Sequence, residues 1–152
     1  MLETGKLVYA ASVGSGLGDN TSLDSGRGNN RVWNHGSTAV RNGTAKAGVE
    51  GLSEADAQRR NIAVRVAKLP MTKVLRARTI SETRGFMKAL VEADGDRILG
   101  FAMLGPEASE VTAVVQTAML AGMPYTGLRD AIITHPTMAE ALGGLFSNVP
   151  TG

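Results

Sequence analysis

Apolar and polar positions split this chain into two unlike stretches that meet near residue 48. Beyond that point the pattern is regular. GLSEADAQRRN (51–61) offers Ser53 as a helix N-cap, Asp56 three residues on as its capping-box partner, and Asn61 as a stop. Ile62 to Leu69 alternates, sending Ile62, Val64 and Val66 to one face and Arg65 to the other, the two-residue period of a strand. Gly85 to Ala93 sets Phe86, Lys88, Leu90 and Glu92 against Met87, Ala89 and Val91. Asp94-Gly95 is then a hairpin turn and Arg97 to Leu104 the returning strand. Gly105-Pro106 ends the sheet, with Pro106 placed to open a helix. From Glu107 to Gly122, Val111, Val114, Val115 and Ala118 recur at helical spacing and form one apolar stripe, which Pro124 stops. A short helix is predicted over Thr126 to Ile133 and a last one over Pro136 to Phe146. Strands grouped together and followed by helices define an α+β fold, an antiparallel sheet with helices packed on one face.

The first stretch is different. GSGLGDNTSLDSGRGNNRVWNHGS (14–37) has hardly an apolar residue to pack, so burial cannot offset its ordering entropy and a long loop or arm is expected. Only Lys6 to Val13 and Ala39 to Val40 offer strand-like pieces, and AVRNGTAKAGVE (39–50) reads as a poor strand. The expected division is a Gly/Asn/Ser-rich leader over 1–47 and a folded domain over 48–152. No internal repeat is present.

Composition narrows the classes. Hydrophobic content of 43% with 20% charged residues suits a soluble globular chain, and 152 residues can bury a core without staples. The longest apolar runs, such as Ala113 to Val115 and Ala118 to Ala121, cannot span a membrane. The N-terminus lacks a basic region followed by an apolar core, so a cytoplasmic protein is expected. The absence of cysteine excludes thiol catalysis, disulfides and Cys-ligated zinc, and no metal site is expected. A net charge of +2 from scattered bases, with three Phe, two Tyr and one Trp, gives no reason to expect a nucleic-acid partner.

Three places could carry chemistry. VGSGLGDN (13–20) follows a strand-like run, but Asp19 stands where a dinucleotide fingerprint needs its last Gly, and no helix follows to hold a pyrophosphate. The leader also holds His35 beside Ser37, with Ser15 and Ser25 in Gly-rich surroundings, and none of these serines sits in the G-x-S-x-G turn of a nucleophile. ITHPTMAE (133–140) holds the third, a histidine before a proline and a glutamate five residues on. Thr137 to Glu140 is itself a capping-box pattern, and a carboxylate can accept from a backbone N–H and an imidazole together. Asp19 or Asp24 could join Glu140 as a carboxylate pair if the leader folded across it, the minimum for glycoside hydrolysis.

Three blocks carry a resemblance to a known family: GLSEADAQ (51–58), ETRGFMKALVEADGDRILGFAMLGPEASEV (82–111) and VVQTAMLAGMPYTGLRDAIITHPTMAEAL (114–142). Gly51 to Pro150 resembles the C-terminal dimerisation domain of the FAD-dependent pyridine nucleotide–disulfide oxidoreductases, which include dihydrolipoamide dehydrogenase, glutathione reductase and mercuric reductase. The resemblance implies a two-fold homodimer in which His135 serves as acid–base at the partner's redox cysteines beside the flavin. It also implies that Glu140 orients the imidazole and that the His135–Pro136 bond is cis. A carboxylate on one ring nitrogen fixes the tautomer, which agrees with that role.

The FAD and NAD(P) domains of such relatives and their cysteine pair have no counterpart here, so no cofactor is expected on this chain. Either the chain is a fragment with an unrelated leader or it is a rearranged gene product. The favoured expectation is a dimerisation module that is not a reductase alone. The alternative is a small hydrolase of esters or glycosides using His135, Glu140 and leader residues. Met119, Met123 and LGGLF (142–146) are expected to remain uncovered by the sheet and to drive homodimerisation.

Overall fold

A computed structural model describes residues 38–42 and 45–151, with side chains from residue 47 onward. Five antiparallel strands form one sheet in the order β1-β2-β5-β4-β3: β1 is Thr38–Asn42, β2 Ala45–Gly51, β3 Val64–Pro70, β4 Phe86–Glu92 and β5 Ile98–Gly105. The three strands expected from alternation are all present, with boundaries shifted by one or two residues. Residues 39–50, expected to make a poor strand, instead supply β1 and β2. The reason is pairing rather than propensity. Glycine and alanine pack little surface, but β2 lies between β1 and β5 and both of its ladders are satisfied.

Alternation sorts the sheet into two faces. Ala67, Leu69, Met87, Ala89, Val91, Phe101 and Met103 belong to the main core. Three helices cover that side: α3 (Ala108–Leu120), α4 (Tyr125–Asp130) and α5 (Ala141–Ser147). They contribute Val111, Val115, Leu128, Leu142, Leu145 and Phe146. On the other face α1 (Glu54–Arg59) packs Ala57 with Leu52, Leu90 and Leu99, with Ile62, Val64 and Val66 at the margin. The helices therefore dominate one face, and one short helix covers part of the other.

Two local devices fix the entry to α1 and the crossing of α3. The Ser53 hydroxyl accepts from Asp56 N–H at 3.1 Å and the Asp56 carboxylate accepts from Ser53 N–H at 3.2 Å, the reciprocal box expected from the sequence. The Ser53 hydroxyl also donates to that carboxylate, at 2.6 Å, and Arg59 pairs with it. Led by the Ser53 bond, these contacts pull the Asp56 carboxyl down to about 2. Where α3 crosses β2, Gly48 has no room for a side chain. A Cβ there would lie 2.1 Å from Thr112 Oγ1 and 2.9 Å from Ala108 O. Thr112 is buried, and its hydroxyl is satisfied by Ala108 O at 2.7 Å.

Pro70 and Phe86 are cross-strand partners, and the chain between them makes a 3₁₀ turn (Met71–Lys73) and α2 (Leu75–Thr79). The sequence pattern did not predict either. Met71, Val74 and Ala77 are the buried pegs of this excursion.

The two last helices are shorter than expected. In place of helices over 126–133 and 136–146, α4 ends at Asp130, Ala131 is extended (ψ 137°), and α5 starts at Ala141. The residue before a proline avoids helical backbone, so the chain around His135-Pro136 cannot continue either helix. LGGLF is also not left uncovered. Leu142, Leu145 and Phe146 are buried in the chain's own core, and Met119 packs against it. Met123 is exposed as expected, together with Leu120, Ile132 and Val114, the last placed by the sequence pattern on the buried stripe. No helix among the described residues is long and apolar enough to cross a membrane.

Candidate functional site: a histidine–carboxylate pair between α4 and α5

The connection between α4 and α5, residues 131–140, is held by two apolar pegs. Ile133 is partly buried against the main core and Met138 is 1% exposed within it. Between them His135 stands out, bonded to Pro136 through a cis peptide. The Thr137 hydroxyl donates to Thr134 O at 2.6 Å and accepts from Glu140 N–H at 3.2 Å, closing a turn that carries Glu140 back towards the histidine. The result is a 2.7 Å contact between His135 Nδ1 and Glu140 Oε2.

Only half of the expected second capping box forms. Thr137 accepts from Glu140 N–H, but the Glu140 carboxylate turns to the imidazole rather than to a backbone N–H. Glu140 stands at the N-cap position of α5, which begins at Ala141, but its side chain makes no capping hydrogen bond. Among the described residues, Glu140 Oε1 is buried and has no hydrogen-bond partner.

The exposures divide the labour. The His135 side chain is 64% exposed and the Glu140 side chain 20%. A carboxylate accepting at Nδ1 holds the neutral ring in its Nδ1–H form, which turns the Nε2 lone pair towards whatever approaches from outside. Nε2 makes no hydrogen bond among the described residues. Chemically, the pair can take up or release a proton at Nε2 with the ring angle fixed by Glu140.

Three residues before His135 in the chain, Ile132 is fully exposed at 104%. Arg129 and Asp130 at the end of α4 pair through two contacts of 2.7 and 2.8 Å. The guanidinium holds the Asp130 carboxyl below its ordinary range, and that carboxylate raises Arg129 in turn.

Of the sequence-derived candidates, the structure brings His135 and Glu140 together. Asp19, Asp24, His35, Ser15, Ser25, Ser37 and the 13–20 turn lie outside the described residues. No cluster of three or more metal-ligating side chains occurs among the described residues. One group went unnoticed in the sequence. Arg65 of β3 donates to Glu92 O (3.2 Å), Gly95 O (2.5 Å) and Pro150 O (3.2 Å), and lies 5.5 Å above the Tyr125 ring. Only its place in the alternation was readable, because its partners lie far away in sequence.

This antiparallel sheet with helices packed against it is the fold of a known class of domain. Residues 42–145 match the family model of the pyridine nucleotide-disulphide oxidoreductase dimerisation domain, and the chain belongs to that family. Its relatives include the probable pyridine nucleotide-disulfide oxidoreductase RclA of Escherichia coli, 40% identical over 99 residues, which are 65% of this chain and 22% of that protein. A dihydrolipoyl dehydrogenase of Haloferax volcanii is 34% identical over 95 residues, 62% of this chain and 20% of the relative. Among solved structures, the HOCl-induced flavoprotein disulfide reductase RclA from Escherichia coli superposes with a TM-score of 0.67 at 38% identity, covering 69% of this chain and 24% of that one. LpdA from Mycobacterium tuberculosis shares the fold at 17% identity, with a TM-score of 0.67 over 73% of this chain and 24% of its own. The chain thus spans about a quarter or less of these relatives' lengths.

Proposed function

We propose that this chain acts as a dimerisation module of the disulfide-reductase type, forming a two-fold homodimer in which His135 and Glu140 are the acid–base pair offered across the seam. The observation that carries this reading is the outward-facing imidazole, aligned at Nδ1 by Glu140 and flanked by a fully exposed Ile132. An isoleucine left wholly in water forgoes roughly 1.5–3 kcal/mol of burial, so such a side chain beside a polar device favours a partner surface. A two-fold contact is the simplest closed arrangement that supplies one.

The redox step of the full-length relatives is not assigned to this chain. It has no cysteine, so no dithiol of its own stands near His135. The pair keeps its geometry and is mostly idle until a partner presents a group to protonate. FAD and NAD(P) belong, on this reading, to domains outside the matched region.

Sedimentation velocity over a micromolar concentration range tests the reading. A single species of twice the chain mass supports it. A monomer at every concentration defeats it.

A further inference from the structure

We infer that Arg65, gripping the ring of Tyr125, is a positioning residue for the His135–Glu140 pair, although it lies on the edge strand of the sheet and touches neither. The inference rests on the reading of that pair as the working device of the domain.

Its basis is how α4 and α5 are held. The connection 131–140 carries the pair but is fastened mainly at its pegs and ends. The Thr137 turn brings Glu140 back towards His135. The spacing of the two helices sets where the ends of that turn are anchored, and so how squarely Glu140 Oε2 meets His135 Nδ1. That spacing is fixed on the α4 side by Tyr125. Its N–H donates to Asp96 O at 2.8 Å, and its ring lies 6.0 Å from Phe146 of α5. Arg65 and Arg129 both place a guanidinium over that ring, at 5.5 and 5.7 Å. A second close approach backs the first, since a Cβ on Gly143 of α5 would lie 3.3 Å from Arg129 O.

Arg65 adds what Arg129 cannot, because it reaches both ends of the helix pair. Through Glu92 O and Gly95 O it grips the β4–β5 turn that receives the start of α4. Through Pro150 O it grips the tail that leaves α5. Asp96 Oδ1, 3.9 Å away, balances its charge. A planar five-donor fork can hold three carbonyls and an aromatic face at once, whereas an ammonium cannot. In β3 the side chain shares the face of Ala67 and Leu69, the face that α4 and α5 cover.

The test reads the tautomer of the neutral His135 ring by long-range proton–nitrogen NMR in the full chain, with His135→Asn used to assign the signal. The wild type is expected in the Nδ1–H form. Arg65→Met and Tyr125→Leu should move most of the ring to the Nε2–H form, while Tyr125→Phe, which keeps the aromatic face, should leave it unmoved. Circular dichroism confirms that each variant is folded, and should Arg65→Met unfold, Tyr125→Leu carries the comparison.

If both disruptive variants melt earlier yet keep the wild-type tautomer, the contact is only structural and the inference is overturned. A Tyr125→Phe ring that shifts as far as Tyr125→Leu overturns it as well. A wild-type ring already in the Nε2–H form defeats the pairing itself, a failure distinct from that of the clamp.

Discussion

His135 Nδ1 and Glu140 Oε2 lie 2.7 Å apart on a turn that is mostly open to solvent on the histidine side. Such a contact orients more than it stabilises. An exposed pair contributes at most about 1 kcal/mol. Glu140→Ala is therefore expected to lower the unfolding free energy by about 1 kcal/mol or less in urea titration, with an unchanged slope. A loss of several kcal/mol would assign Glu140 to the core of the fold rather than to the imidazole.

Gly48 makes a sharper mechanical prediction. A methyl group there would have to share space with Thr112 Oγ1 and Ala108 O, so Gly48→Ala must push α3 away from β2. The expected cost is about 1–3 kcal/mol, as for other overpacked sites. Adding Thr112→Ala removes the nearer obstacle and should recover part of that loss, although Ala108 O remains. Equal stability of Gly48→Ala and wild type would mean that the helix crosses elsewhere.

The Asp56 carboxyl sits at about 2, led by its bond from the Ser53 hydroxyl, against an ordinary value of 3.8. Its folded form is depressed, so the stability it contributes is complete above the ordinary value and is lost as pH falls towards about 2. Asp56→Asn should remove that part of the acid dependence, leaving a flatter stability profile between about 4 and 2 than the wild type shows. Ser53→Ala should also cost about 1 kcal/mol at neutral pH through loss of the cap. Parallel acid profiles for Asp56→Asn and wild type would contradict the assignment.

The elements that were legible in the sequence share a property: their signals are local. Alternation in Val64–Pro70, Phe86–Glu92 and Ile98–Gly105 and the Ser53–Asp56 box need only neighbours a few residues away. What was missed depends on distant partners. β2 becomes a strand because β5 lies beside it, not because Ala-Lys-Ala-Gly prefers extension. Leu142, Leu145 and Phe146 of LGGLF are buried because α5 lies over β3 and β4, a packing invisible in the segment's own composition. His135 and Glu140 were singled out in the sequence as a candidate pair, but their meeting was implied only by resemblance, since a spacing of five does not by itself bring two side chains together on a helix. The turn made by Thr137 does that. The Arg65–Tyr125 contact spans sixty positions of chain, and no local pattern announces it.

The central claim, that this domain closes on a second copy through the surface beside His135, is tested most directly by light-scattering molar mass of the wild type and of Ile132→Asp at the same micromolar concentrations. Ile132 is fully exposed in the isolated chain, so the substitution leaves the core untouched and the circular dichroism spectrum should not change. A charge buried at a seam without a partner is strongly unfavourable. The account predicts a dimeric wild type and a variant that is largely monomeric yet folded. A wild type that is monomeric throughout, or an Ile132→Asp variant as fully dimeric as the wild type, would contradict it.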